Sequence, residues 1–357
     1  MSILSLTGFR GANTKADRYF LPADVGVLSI NQKPSDDGVF RPWREPLTIA
    51  GPVMGSSRQT IYRMGREAAT PAQHWLTFTT LVHLMRGFED EDTTERTYFT
   101  GAAGGPQWTS NLIGLSSAPY PSATRKLGVP QPTVAPGVAL VTDGPTGTER
   151  SRFYCFTWVN DIGWESAPSP AVKAAAAKPG AVFDLTISES VPAGNYSVTQ
   201  VRWYATQTGA NDDTQFYFLR EYAVGATGMQ DDGRELNLRD GALQADGLWL
   251  ELDASATWLT PCWEEVAACI VGKTVRFCVP GLIYAWPIEF EYVVTNGTPL
   301  ALASFGGRLL ALTSAGGELF TGSIPDQLGQ KPMALAVLVS QRSVVTGENF
   351  AIWAAND

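Results

Sequence analysis

Histidine is almost absent from this chain: only His74 and His83 occur in 357 residues. They stand nine positions apart in a largely apolar run. A structural histidine is commoner there than a metal ligand or half of an acid–base pair. The four cysteines, Cys155, Cys262, Cys269 and Cys278, contain no CxxC pair. Zinc is therefore not expected, and small, reduced core residues are. Charge is also scarce, at 17% of residues against a usual share of about 25%, so less of the surface is covered by charge. The net charge of -9 argues against non-specific phosphate binding by the whole chain, which needs clustered Lys and Arg, but leaves room for a nucleic-acid channel. GxSxG, HExxH, GxxxxGK[ST] and a strand–helix GxGxxG are all missing, which removes the common hydrolase, metalloprotease and nucleotide-binding templates. No run approaches the roughly 18 apolar residues of a membrane span. The opening Met1–Leu6 lacks the basic n-region of a signal peptide. No cofactor is expected.

What the chain has instead is aromatic and β-branched residues, with eleven Trp, eleven Tyr and sixteen Phe. Such side chains serve equally as strand core and as interface anchors. Trp75–Met85, Arg96–Thr100, Arg152–Val159, Val182–Ile187, Val198–Ala205, Gln215–Tyr222, Val271–Val279, Leu309–Thr313 and Phe350–Trp353 all have strand character. Val182–Ile187 alternates apolar and polar residues, as a half-buried strand should. Ser314–Gly317 between two runs is a hairpin signal. Strands and turns repeating at short intervals after residue 134 predict an antiparallel sandwich. Glycine-joined strands beyond 250 predict propeller-like blades. The prolines of 117–136 predict a stiff linker, and Phe40–Pro46 an extended arm or paired edge strands.

Carboxylate pairs deserve weighing because glycoside hydrolases need two, about 5 to 9 Å apart, in an aromatic cleft. Glu264 and Glu265 follow Trp263, but neighbours on an extended strand point to opposite faces. Asp231-Asp232-Gly233 reads as a turn. Glu89–Asp92 reads as a solvated acidic loop, without the ligand alternation and glycine of a calcium loop.

Several segments, in order, resemble a family of structural tail proteins from short-tailed bacteriophages. They are Gly8-Phe9-Arg10-Gly11 with Lys15, Leu21-Pro22, Asn31 and Phe40–Arg44; Arg96–Gly101 with Pro106; Pro119-Tyr120-Pro121 and Leu127–Pro132; Trp158-Val159-Asn160, Gly163 and Glu165–Pro170; and Tyr284-Ala285-Trp286-Pro287. One departure is Cys278-Val279-Pro280, where the family often has Ser-Glu-Pro. The resemblance implies an all-β protein with a β-propeller-like or barrel body and an inserted fibronectin-like or immunoglobulin-like β-sandwich. Residues 1–133 would form the N-terminal body with its arm, 134–250 the sandwich, and 251–357 the C-terminal blades packing with the N-terminal body. It implies a homo-oligomeric ring, often of six copies, in the virion tail, made in the host cytoplasm. Its partners would be portal or adaptor proteins above and fibre or tail-tip proteins below, with genomic DNA passing through unbound. Candidate structural or interface residues are Phe9, Arg10, Phe40, Trp43, Arg44, Tyr98, Tyr120, Trp164 and Trp286. A carbohydrate-binding fibre or adhesin module and a glycoside hydrolase are the alternatives.

Overall fold

A computed structural model describes residues 11–12, 25–26, 32–34, 40–42, 57–64, 75–89, 92–206, 215–225, 228–232, 249–263 and 265–356. Strand accounts for 45% and helix for 4%, which makes the protein all-β. The chain divides into two compact units, Met1–Ala50 and Gly51–Asp357. In the first, β1 (Gly11–Ala12) pairs in parallel with β2 (Val25–Gly26). There β3 (Gln32–Pro34) pairs antiparallel with β4 (Phe40–Pro42). The extended reading of the Phe40 segment thus holds for residues 40–42, as one of two paired strands.

The second unit opens with the antiparallel pair β5 (Thr60–Arg63) and β6 (Trp75–Phe78). Next come β7 (His83–Arg86), β8 (Thr97–Thr100), β9 (Gln107–Thr109), the short α1 (Asn111–Gly114) and β10 (Arg125–Lys126). These four strands form one antiparallel sheet in the order β10-β9-β8-β7. The single strand expected over 75–85 is broken at 79–82. Hydroxyls cause the break: Thr60 Oγ1 donates to the Thr80 carbonyl (2.9 Å) and accepts from the Val82 amide (3.0 Å), while Thr80 Oγ1 donates to Gly101 (3.2 Å). Threonines that capture backbone groups in this way compete with a continuous ladder.

Seven strands follow: β11 (Gly137–Thr142), β12 (Phe153–Asn160), β13 (Val172–Lys173), β14 (Val182–Thr186), β15 (Val198–Thr206), β16 (Phe216–Ala223) and β17 (Gly228–Asp231). They make a three-stranded sheet, β11-β14-β17, and a four-stranded sheet, β13-β12-β15-β16. The pleat puts Tyr154, Phe156 and Trp158 on one face of β12, opposite Ala205, Trp203 and Val201 of β15. That face meets the other sheet, where Phe183 lies 6.1 Å from Tyr154 between ring centroids. Alternation in β14 buries Phe183 and Leu185 as the sequence pattern predicts.

The rest is a succession of hairpins. β18 (Thr257–Trp263), β19 (Val266–Val271), β20 (Thr274–Phe277) and β21 (Glu291–Val293) form one sheet in chain order. β22 (Pro299–Phe305), β23 (Arg308–Thr313), β24 (Gly316–Thr321) and β25 (Gly329–Met333) form another. β26 (Val345–Thr346) and β27 (Ala351–Ile352) pair as a last hairpin. The expected strand over 271–279 is cut by a two-residue turn, with Val271 opposite Thr274 and Gly272 at φ 58°. A left-handed φ is where glycine is at home. The hairpin expected at Ser314–Gly317 forms, with Thr313 opposite Gly316.

These sheets share one continuous core that includes Tyr98, Tyr154, Phe277, Trp286 and Phe320. A smaller core holds Met64, Leu76, Phe78, Val82 and Phe99. β18 leans on β7 and β8, and the Leu259 amide donates to Thr100 Oγ1 at 3.2 Å. Among the described residues there is no closed barrel and no helix long and apolar enough to cross a membrane.

Candidate functional site

Trp164 is where the sheets join. Its position is set locally: Asn160 Oδ1 accepts from the amides of Ile162 (3.2 Å) and Trp164 (2.8 Å), and Gly163 takes φ 86°. This is an Asx-type turn, built by the Asn–x–x–Gly–Trp sequence itself. The turn aims the indole between three segments. Trp164 stacks on Tyr284 at 5.3 Å, lies 5.6 Å from Trp108 on β9, and lies 6.2 Å from Tyr98 on β8. Only 6% of it is exposed.

Polar ties surround this aromatic hub. The Arg125 guanidinium sits 5.5 Å over the Trp108 ring and pairs with Asp161 at 2.6 Å. The Thr133 amide and hydroxyl and the Val134 amide all donate to the Glu189 carboxylate, at 2.9 to 3.1 Å. The proline-rich 117–136 segment is therefore fastened, with β10 in a sheet at one point and Thr133 held by Glu189 at another.

A second network braces the outer face of the four-stranded middle sheet. Glu165 accepts from Thr157 Oγ1 (2.6 Å), Tyr204 Oη (2.6 Å) and Arg202 Nη1 (2.7 Å), while Arg202 Nε donates to Glu221 (2.5 Å). Burial, and then the Glu165 charge, push the Tyr204 phenol well above its ordinary range. Burial opposes the charge on Arg202, but hydrogen bonds to Glu221 and Glu165 outweigh it and hold the guanidinium above its usual value. The Cys155 thiol is pushed up to about 12 by burial, with Glu165 adding to it. A thiol of that kind stays protonated at neutral pH and is a poor nucleophile. The network cross-links β12, β15 and β16.

The candidate residues fall in different places. Tyr98 is fully buried and donates its phenol to Glu89. Tyr98 and Trp164 meet at the hub. Trp286 is fully buried, with its indole N–H on the Ile283 carbonyl at 2.7 Å. Tyr120 packs against the smaller core, and its carbonyl accepts from the Thr77 amide at 2.9 Å. The backbone of Phe40 lies in β4. Phe9, Arg10, Trp43 and Arg44 lie outside the described residues, as do His74 and Glu264.

Of the carboxylate pairs, the described members Glu265 and Asp231 lie in different settings. Glu265 is exposed, in the left-handed region (φ 60°) of the turn joining β18 to β19, so this stretch is a hairpin tip and not an extended run. Asp231 corrects the turn reading. It ends β17, is 2% exposed, and pairs with Arg152 at 3.1 Å and the Tyr154 phenol at 2.6 Å. Nothing local announces that pairing, because Arg152 and Asp231 are 79 positions apart. Among the described residues, one cleft, near Phe78, has no carboxylate in its lining, and another, beside Trp158, has Glu189 as its one carboxylate. The four cysteines are free and buried. Burial raises the Cys262 and Cys269 thiols well above their ordinary value and Cys278 to about 12. Among the described residues no group of three or more His, Cys, Asp or Glu is arranged to hold a metal ion.

His83 lies at a packed junction of two sheets. Its ring lies 4.0 Å from that of Trp258, where β7 meets β18, and its Nδ1 is buried without a partner. Trp258 is itself held at φ 55°, with its indole N–H on the Leu302 carbonyl at 2.6 Å. Burial lowers the His83 pKa to about 4 from 6.5. The unfolded chain therefore takes up this proton at a higher pH than the folded one. The contribution of the neutral ring to stability is full above about pH 6.5 and is lost progressively as pH falls to about 4, by about 3 kcal/mol in total. Denaturation midpoints measured across that range are expected to fall more steeply for the native chain than for His83→Phe.

A scan against protein-family models finds no match, and a search of the curated proteins finds no significant one.

Proposed function

We propose that this chain is a structural, non-enzymatic subunit of a bacteriophage tail, forming a nozzle or hub ring through which DNA leaves the particle. The observation that carries the reading is the order of the sheets. Four-stranded antiparallel meanders occur at β7–β10, β18–β21 and β22–β25, each with its strands neighbouring in chain order. That is the pattern of propeller blades. Between the first and second lie the two facing sheets of β11–β17, which we read as the inserted fibronectin-like sandwich. The collinear sequence resemblance points to the same arrangement.

Composition and surface support assembly. Exposed large apolar residues gather on β11, with Leu140 at 41% and Val141 at 50%, and along the last hairpin, with Val345, Phe350 and Ile352 at 54–61%. Patches of this kind mark contact surfaces. β11 is also an edge strand without a charged residue, the type that pairs with another chain. A net charge of -9 suits a lumen that DNA traverses without sticking. The sugar-binding alternative needs exposed aromatic faces, and every described tryptophan is buried or half-buried.

Charging the last hairpin tests the reading. Val345→Asp with Ile352→Asp is expected to dissociate the oligomer while shifting the melting temperature little, since both side chains are about 60% exposed. An oligomer that survives the double change would remove this hairpin from the proposed interface; sedimentation velocity reads either outcome.

A further inference from the structure

A cleft of about 280 Å³ opens between the segment after β6 and the connection from β8 to β9. Phe78 and Phe99, with ring centroids 5.2 Å apart, form apolar wall, joined by Ala102 and Pro121. Most of the polar lining is already engaged. Thr80 donates to the Gly101 carbonyl, Thr124 donates to Gln107 Oε1, and the Gln107 amide donates to the carbonyls of Ala103 and Gly105. Arg58 is the exception. Its Nε is buried without a hydrogen-bond partner, and among the described residues its guanidinium makes no ion pair or hydrogen bond. Among the described residues no Asp or Glu lines the cleft, although acids outnumber bases 35 to 26 in the whole sequence.

A cation facing an apolar wall without a counter-charge is costly, and an anion that supplies one gains charge-assisted hydrogen bonds. We propose that this cleft binds a monocarboxylate carrying a small apolar group. The Arg58 guanidinium takes the carboxylate in a forked pair, and the apolar group lies against Phe78 and Phe99. One guanidinium balances one carboxylate, whereas a phosphate dianion would keep an uncompensated charge beside the two rings. The volume, at the low end of ligand pockets, suits a molecule the size of benzoate. Nothing in this assignment depends on the tail-ring reading.

The test is calorimetric titration of the full-length chain with benzoate at constant ionic strength. Saturable 1:1 binding is expected, weakened roughly tenfold or more by Arg58→Gln. Benzyl alcohol, which lacks the charge, is expected not to bind, and inorganic phosphate not to compete. No binding at millimolar benzoate overturns the proposal, as does equal affinity in Arg58→Gln. Displacement by phosphate overturns the carboxylate assignment in favour of a phosphate site. Should Arg58→Gln lower the melting temperature, Ala103→Leu narrows the same cleft with Arg58 intact. It must then lose benzoate binding, and undiminished binding places the ligand elsewhere and refutes the site.

Discussion

Trp164→Ala is expected to cost about 3–5 kcal/mol of unfolding free energy, the range for deleting a large buried aromatic. The expectation rests on position more than size. Trp164 touches Tyr98, Trp108 and Tyr284, which belong to segments far apart in the chain. Removing it empties the joint between the β7–β10 sheet, the β11–β17 sheets and the segment before β21. Loss of that joint also uncouples them, so chemical denaturation of the variant is expected to resolve into two transitions where the native unit shows one. Leu112, 73% exposed, supplies the control: Leu112→Ala is expected to stay within about 0.5 kcal/mol of the native chain. A Trp164→Ala cost under about 1 kcal/mol would mean that the aromatic hub is not the joint.

The second large effect is expected at the buried pair of Arg152 and Asp231, whose side chains are 5% and 1% exposed. Two charges removed from water survive there because they face each other and because the Tyr154 phenol donates to Asp231. Asp231→Ala removes the carboxylate that Arg152 faces and is expected to cost about 3–5 kcal/mol. Replacing both partners with apolar residues, Arg152→Met with Asp231→Leu, removes both desolvation penalties and is expected to recover most of the loss. Tyr154→Phe deletes one hydrogen bond and is expected to cost about 1–2 kcal/mol. Guanidinium chloride midpoints for the four proteins decide the matter. A double variant less stable than either single change would show that the pair contributes more than mutual neutralisation.

Much of the strand content is legible in the sequence. β12, β14, β15 and β16 are runs of aromatic and β-branched residues that end at polar or glycine turns, and local pattern suffices to place them. The hairpin at Ser314 is legible for the same reason. Two long expected strands, 75–85 and 271–279, prove to be two pieces each. The first break comes from hydroxyls of Thr60 and Thr80 that find backbone partners about twenty positions away. The second comes from the Gly272-Lys273 turn, a lone glycine among β-branched neighbours that favour a continuous strand.

The site is less legible than the strands. Tyr98 and Trp164 belong to different motifs, and only the fold brings them together. Asp231 reads as a turn residue beside Asp232, because its partners Arg152 and Tyr154 lie on another sheet. Glu318 carries no local signal at all. It is fully buried on β24, yet its carboxylate accepts from the Thr295 amide and hydroxyl and from Gln330. Long-range polar pairing is a property of sheet packing, which a window of neighbouring residues does not contain. The Arg58 cleft is illegible for the same reason, since Arg58 meets Phe78 through the pairing of β5 with β6, and only the fold brings Phe99 to the same cleft.

The ring is the central claim, and the mass of the native particle tests it most directly. Mass photometry of the purified chain, paired with negative-stain images, is expected to show a closed multiple of the 38.5 kDa protomer with a central opening. A chain that stays at the protomer mass across the concentration range, with no annular particles on the grid, would contradict it.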